Sequence, residues 1–351
     1  MDSAVAALRL VREGRTLEAA TVLSWPGTDR RSCCSPGALQ RAARSAAHVG
    51  VPFQVLDLTD DFAAQVVAPF VESYLAGETP NPCVACNPRR LAALVRLADE
   101  RGLDTVATGH YARLVWLGGR PFVARGTDRD KDQSYMLWAV PEDVLARLEF
   151  PLGETTKQET RALAALAELP VADEPESQEV CFAVDGYQHL LEERGVPPRP
   201  GAIVDRAGRA LGEHDGHWRF TVGQRRGLGI SAPDPLYVLE KRAAQNEIVV
   251  GRRDGLEVRE VAVRALVDRG LGDGKGLCVQ LRYRSRAVPV AELRRTAADA
   301  AIVTLGAAFA GLAPGQSAVF YRDDVIVAGG LVAGPGFGEG GCDTLRPRTD
   351  G

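Results

Sequence analysis

At 351 residues, 45% hydrophobic and 25% charged, the chain is long enough for two or three domains and a sizeable core. Its net charge of −4 argues against a generic nucleic-acid coat, and no apolar run approaches the ~18 residues that cross a bilayer. The N-terminus MDSAVAALRLVREGR has no basic region ahead of its apolar residues, and seven scattered cysteines do not resemble a secreted disulfide framework, so no membrane and a cytoplasmic location are expected.

Along the chain, Val5 to Glu13 reads as a helix and Ala19 to Trp25 as a short apolar strand. Ala38 to His48 is an alanine-rich helix closed at Gly50, Phe53 to Leu58 the next strand, Leu91 to Arg101 a helix closed by Gly102, and Thr105 to Thr108 a strand. Helix and strand in alternation imply parallel βαβ units, so residues 1–176 are expected to form an α/β domain. From about Gly201 the texture becomes short β-rich runs with Gly/Asp turns: Ala202–Asp205, Phe220–Val222, Tyr237–Leu239 and Glu247–Val250. These define a small β-rich domain over 177–250. Val261–Val267, Cys278–Tyr283 and Ser317–Tyr321 continue the pattern into a C-terminal β domain over 251–351, with a frayed glycine-rich end at Gly334–Gly341. From Gly251 onward Lys/Arg number 14 against 12 Asp/Glu, and Arg282-Tyr-Arg-Ser-Arg286 reads as an alternating basic strand. Such a strand can track a phosphate backbone, although charge alone favours a solvated face.

The chemistry is concentrated in Thr79-Pro-Asn-Pro-Cys-Val-Ala-Cys-Asn87 and Ser177-Gln-Glu-Val-Cys-Phe182. Cys83 and Cys86 follow two prolines and are expected on a rigid turn before a helix beginning near Pro88, where a thiolate is favoured. The pair reads as a redox couple, a metal half-site or an iron–sulfur half-site. A four-thiolate zinc site would need Cys33 and Cys34 as well, and sequence neighbours rarely point at one ion. Cys83, Cys86 and Cys181 would form a three-ligand site with one open position. Cys278 reads as a core residue; Cys342 has no assigned role. Gly109 and His110 follow the strand Val106-Ala107, at the end where ligands of open parallel sheets sit. Glycine there admits a nucleotide closely. His110 either donates to a phosphate or to RNA, or caps the strand.

Six segments in order, TPNPCVACN (79–87), ATGHYARL (107–114), DRDKDQSYML (128–137), FPLGETTK (150–157), SQEVCF (177–182) and GEHDGHWRFTVGQRRGLGI (212–230), resemble the tRNA-specific 2-thiouridylase family, over a span from Asp2 to near Gly330. The resemblance implies an α/β, parallel-sheet adenine-nucleotide alpha-hydrolase-like (PP-loop) domain, a small β-rich domain and a C-terminal β-barrel that grips tRNA. It implies that ATP, with Mg2+, adenylates the C2 oxygen of the wobble uridine and that sulfur then displaces AMP. It carries the nucleophile onto Cys86 and the persulfide onto Cys181, which can form a disulfide with Cys86. It places ATP contacts at Asp2, Ser3, Val22 and Gly109, and tRNA contacts at His110, Lys131, Asp132, Gln133, Arg282, Tyr283 and Gln316. The implied partners are tRNA and a sulfur donor such as a cysteine desulfurase or a sulfur-carrier protein. Cys181 is expected on a mobile loop, since it must meet both that donor and Cys86.

Two departures stand out. The family opens with a strand and a Ser-Gly-Gly-Val-Asp-Ser phosphate loop, whereas this chain begins Met1-Asp2-Ser3. The expectation is a displaced start, a GTG valine codon taken as initiator, with about a dozen further residues upstream; an in-frame stop immediately upstream would sink it. The alternative is a catalytically inactive tRNA-binding paralogue. Cys83 also occupies a position where many family members carry aspartate, which makes a [4Fe–4S] cluster on Cys83, Cys86 and Cys181 the competitor of the persulfide route.

Overall fold

The computed structural model describes residues 1–25, 36–172 and 180–334. Cys33, Cys34, Cys342 and residues 177–179 of the second cysteine motif lie outside them. Helix α1 (Asp2–Arg12) buries Val5, Ala6 and Leu10 at helical spacing. Asp2 in its first turn and Arg9 and Arg12 in its last complement the helix dipole. Strand β1 (Ala19–Leu23), helix α2 (Pro36–Val49) and strand β2 (Phe53–Asp57) follow, and β1 pairs parallel with β2, Val22 opposite Leu56. Helix α3 (Thr59–Phe62) runs through one π turn (Ala63–Val67) into α4 (Ala68–Leu75).

Helix α5 (Pro82–Glu100) starts six residues earlier than expected from Pro88, which lies inside it. Proline suits the first helical position, and Asn81 caps the end by accepting from the Cys83 amide at 3.1 Å. These signals outweigh the internal proline. The cysteines therefore sit on the first turns of the helix, not ahead of it.

Strand β3 (Val106–Ala107) leads into an unanticipated hairpin, β4 (Ala112–Leu117) and β5 (Arg120–Arg125), turned by Gly118 and Gly119, both with positive φ. After α6 (Glu142–Leu145), strand β6 (Leu148–Glu149) pairs parallel with β3. Helix α7 (Lys157–Leu166) opens with a Thr156/Glu159 capping box, and α8 (Tyr187–Glu193) closes the α-rich part.

The middle domain is a four-stranded sheet of β7 (Gly201–Val204), β8 (Ala210–His214), β9 (Tyr237–Arg242) and β10 (Glu247–Gly251), in the order β8-β7-β10-β9. Phe220–Val222 is not a strand: Phe220 closes a helical turn over 217–219 and, like Val222, is buried. Six strands then form a closed barrel: β11 (Glu257–Asp268), β12 (Leu277–Gln280), β13 (Val288–Ala297), β14 (Ala300–Ala310), β15 (Ser317–Arg322) and β16 (Val325–Val332). They run in the order β11-β14-β13-β12-β15-β16, and β11 pairs again with β16 to remove both edges.

The expected strand through Tyr283 ends at Gln280, and 282–286 is a turn. The Arg282 carbonyl accepts from the Ser285 amide (3.0 Å) and hydroxyl (2.8 Å), and Arg284 has φ 62°. Local side-chain and backbone closure here defeats the period-2 pattern.

Hairpin β4–β5 extends the barrel sheet through β5 against β16, Val325 opposite Ala124. The two domains share one core. Val123, Tyr135, Leu137 and Trp138 of the first pack with Val319, Tyr321 and Ile326 of the barrel.

Candidate active site and candidate tRNA interface

Cys86, on α5, lines a narrow cleft, with room for little more than one water, together with Ser24 beyond β1, Leu58 beyond β2, Asp61 of α3, and Arg89 and Arg90. This is the carboxyl edge of the parallel strands, where such sheets bind ligands. Arg89 donates to Gln65 Oε1 (3.1 Å) and to the Ala85 carbonyl (3.2 Å). Two guanidiniums beside a thiol at a helix start stabilise negative charge there.

Cys181 reaches the same place from 95 residues further along the chain. It occupies a turn in which the Ala183 amide donates to the Val180 carbonyl at 2.9 Å. The next residue, Phe182, is buried edge-on against Phe62 (5.5 Å) and Phe70 (5.1 Å), with Trp25 tilted at 6.3 Å. Cys86 and Cys181 both pack against the hydrophobic cluster that contains these rings, each half-buried. An excursion of Cys181 would have to draw Phe182 out of its aromatic seat. Cys278, expected in the core, is only half-buried on β12.

Among the described residues no group of three or more Cys, His, Asp and Glu side chains is placed to hold a metal ion. The three-cysteine set for an iron–sulfur cluster is thus not assembled in this arrangement, and the residues as placed do not fit that group.

Gly109 is pressed against the first turn of α1: a Cβ there would lie 2.6 Å from Asp2 C and Ser3 N. Asp2, Ser3 and Gly109 therefore converge, while Val22 sits in β1 one residue before its end. No side-chain cap closes the α1 N-terminus. The Asp2 carboxylate is held by Lys157 Nζ (2.7 and 2.9 Å) and by the Tyr111 hydroxyl (3.2 Å). Sequence reasoning assigns Lys157 no role; the signal that could have found it is its place at the end of FPLGETTK.

His110 is held from both sides. Arg90 Nη2 lies 3.3 Å from Nε2 and Thr108 Oγ1 2.7 Å from Nδ1. A guanidinium only donates, so Nε2 accepts and Nδ1 carries the proton toward Thr108. Burial, assisted by the Arg90 charge, pushes the His110 pKa down to about 3. His110 is a neutral strand-end ring whose Nε2 is already an acceptor, so it does not donate to phosphate from this atom.

This has a pH consequence. Between about pH 3 and the unfolded value of ~6.5, the unfolded ring binds a proton that the folded ring refuses. The associated stability is complete above pH ~6.5 and is lost as pH falls toward 3, by at most about 1.4 kcal/mol per pH unit. Urea unfolding at pH 7 and pH 5 should show a smaller acid loss for His110→Asn than for the parent; equal losses would contradict it.

The remaining tRNA-assigned residues form a band. The Asp132 carboxylate is consumed internally, accepting from the Gly126 and Ser134 amides, the Ser134 hydroxyl and Arg125. Gln133 pairs with the Tyr111 backbone through its side chain and its amide, both at 2.9 Å. Lys131, in the same loop, is half-buried. Tyr135 lies 6.0 Å from Tyr283, and Arg282 donates to the Gly311 carbonyl at 3.1 Å. Arg282, Arg284 and Arg286 are all exposed on the one turn. The Gln316 side-chain amide donates to the Thr79 carbonyl. If the turn meets phosphates, replacing each of the three arginines by alanine lowers the slope of log affinity against log salt by about 0.7 to 0.9 for every phosphate left without its cation. Filter binding of tRNA across a salt series measures it, and an unchanged slope would remove the turn from the interface.

An α/β domain with its ligand edge at Cys86 is followed by two β domains, an architecture that joins a ligand-binding parallel sheet to two β modules. Consistent with it, residues 1–185 match the tRNA methyl transferase HUP domain, 188–252 the tRNA methyl transferase PRC-barrel domain, and 270–332 the aminomethyltransferase beta-barrel domain. The chain is 47% identical to the bifunctional protein NifU/MnmA of Rubrobacter xylanophilus, over 95% of this chain and 68% of that protein. It is 40% identical to the tRNA-specific 2-thiouridylase MnmA of Syntrophotalea carbinolica (95% and 96% covered) and 38% to that of Carboxydothermus hydrogenoformans (95% and 94%). The chain belongs to the tRNA-specific 2-thiouridylase family. No helix among the described residues is long and apolar enough to cross a membrane.

Proposed function

We propose that this protein is a tRNA-uridine 2-sulfurtransferase that converts the wobble uridine of tRNA to 2-thiouridine at the expense of ATP. The observation that carries the proposal is the packing of both Cys86 and Cys181 against one hydrophobic cluster, with Cys86 on an arginine-lined cleft at the strand ends. The sequence similarity to named 2-thiouridylases supports the substrate class.

ATP, as its Mg2+ complex, enters as substrate near the first turn of α1, with Asp2, Ser3, Gly109 and Val22 around it; helix-start amides favour phosphate there. The uridine C2 oxygen attacks the α-phosphate and releases pyrophosphate, which turns that oxygen into a leaving group. A sulfur donor has meanwhile left a persulfide on Cys181. Its terminal sulfur attacks C2 and expels AMP. The Cys86 thiolate then attacks the Cys181 sulfur, which frees the thiouridine and leaves a Cys86–Cys181 disulfide. An external dithiol reduces that disulfide by two electrons, frees both cysteine thiols and is itself oxidised to a disulfide. Arg89 and Arg90 stabilise the anionic sulfur in the cleft, and the aromatic cluster keeps water from the persulfide.

The test is nucleoside mass spectrometry of tRNA after incubation with the full chain, ATP and a persulfide donor. ATP-dependent 2-thiouridine is the expected product. Bound tRNA left unmodified under these conditions would instead favour a tRNA-binding protein without catalysis.

A further inference from the structure

Both β domains grip one short segment, Glu78-Thr79-Pro80-Asn81, which links α4 to α5. From the middle domain, Lys241 Nζ donates to the Glu78 carbonyl at 3.0 Å, and His217 Nε2 lies 3.0 Å from the Leu75 carbonyl. From the barrel, Arg264 Nη2 donates to Glu78 Oε1 at 2.6 Å, in an ion pair whose side chains are about a quarter exposed. The Thr79 amide donates to the Pro314 carbonyl at 2.7 Å, and the Thr79 carbonyl accepts from Gln316. Gly315, with φ 83°, lets the barrel loop lie flat on this segment, since a Cβ there would come 2.8 Å from Glu78 Cβ. Polar bonds from two domains onto two consecutive residues exceed what chain connectivity requires.

The residues just beyond this segment give the grip its meaning. Pro80 and Pro82 fix φ on either side of Asn81, and Asn81 caps α5 through the Cys83 amide. The path from Thr79 to Cys86 is therefore stiff: two prolines, a cap and the first turns of a helix. A shift of the 78–79 backbone has little slack in which to dissipate before it reaches Cys86.

We infer that Arg264, Lys241 and Gln316 are positioning residues for Cys86, through which the two β domains set the start of α5 and so the place of the thiol in the cleft. Gln316 acts on the cysteine-bearing segment through Thr79. The inference rests on Cys86 being the reactive thiol of the proposed function, and its main readout does not require turnover.

The test uses the whole 351-residue chain and the double variant Arg264→Met, Gln316→Leu, with Arg264→Lys as the conservative comparison. Iodoacetamide labelling of individual cysteines is followed by peptide mass spectrometry. Cys278, on β12 of the barrel, reports barrel integrity. The double variant should label Cys83 and Cys86 about tenfold faster than the parent, the size expected for losing a charge-assisted hydrogen bond, with Cys278 unchanged and Arg264→Lys close to the parent. In thiolation assays kcat should fall while KM for tRNA stays within about twofold. Unchanged labelling with a raised KM would make Gln316 a tRNA contact and overturn the inference. Faster labelling of Cys278 in parallel would show barrel unfolding and overturn it too. If the parent forms no 2-thiouridine, the proposed function fails while the labelling still decides the positioning role.

Discussion

Cys86→Ser and Cys181→Ser proteins should each lose 2-thiouridine formation by about a thousandfold or more, the scale on which removal of one nucleophile disables a covalent mechanism. Serine keeps the size of the side chain but can neither carry a sulfane sulfur nor resolve one. The double variant should be no worse than either single, because the two thiols act in one sequence of bond changes. Both variants should still bind tRNA with the parental salt dependence, since neither cysteine lies in the band formed by the 131–135 loop and the 282–286 turn. The measurement is single-turnover thiolation with nucleoside mass spectrometry. Retention of more than about a tenth of the parental rate by Cys181→Ser would remove it from the reaction. Cys83→Ser is the informative companion. In the persulfide route it changes the rate far less than either, because Cys83 enters no bond-making step.

The second large effect is on stability. Trp138→Ala should destabilise the protein by about 3–5 kcal/mol, the range for truncating a buried aromatic. Trp138 is 4% exposed, its indole donates to Ser317 Oγ at 2.9 Å, and its ring lies where a Cβ on Gly329 would approach to 2.4 Å. Tyr135 reinforces the join by donating to the Ser317 carbonyl at 2.9 Å. The indole is the wedge between the α/β domain and the barrel, so its loss leaves a cavity and removes one partner of the Ser317 hydroxyl. Gly329→Ala attacks the same contact from the other side and should cost about 1–3 kcal/mol through overpacking. Urea unfolding followed by far-UV circular dichroism tests both. A loss below about 1 kcal/mol for Trp138→Ala would mean that the two domains hold together without it.

Elements with a strong local pattern were legible in the sequence. Helices α1 and α2 and strands β1 and β2 fall within a few residues of expectation, because helical apolar spacing and short apolar runs decide them locally. Both cysteine motifs were also visible, but their packing against one hydrophobic cluster was not. The contacts that seat Cys181 come from Phe62 and Phe70, on helices more than a hundred residues away. Where tertiary structure overrode local signals, reading failed. Strand β13 carries Glu292, Arg294 and Arg295, and β14 is rich in alanine, a helix former. They are strands because each finds a neighbour in a closed barrel, as the pairing of Leu293 with Val303 shows. Pro88 suggested a helix start, yet Asn81 and Pro82 held the stronger signal and start the helix six residues earlier. Arg282–Arg286 alternated like a strand, but the Ser285 bonds to Arg282 turned the chain. Gln316 illustrates a different limit: family similarity suggested what it touches, and only geometry gave its bond to Thr79.

The attachment of hairpin β4–β5 to the last barrel strand bears on how the chain matures on the ribosome. Ala124 finds its partner only when Val325 has been made, about 200 residues later. At bacterial elongation rates that is a wait of roughly 10–40 seconds. During it, Trp138 and Tyr135 have no barrel to cover them. The first domain thus emerges with an exposed aromatic face and an open strand edge, which are binding determinants for a chaperone until synthesis ends. The cysteine cleft would then be finished last, although its residues are translated early. A nascent chain arrested before β16 should be sensitive to protease near residue 138, and one arrested well past it should not.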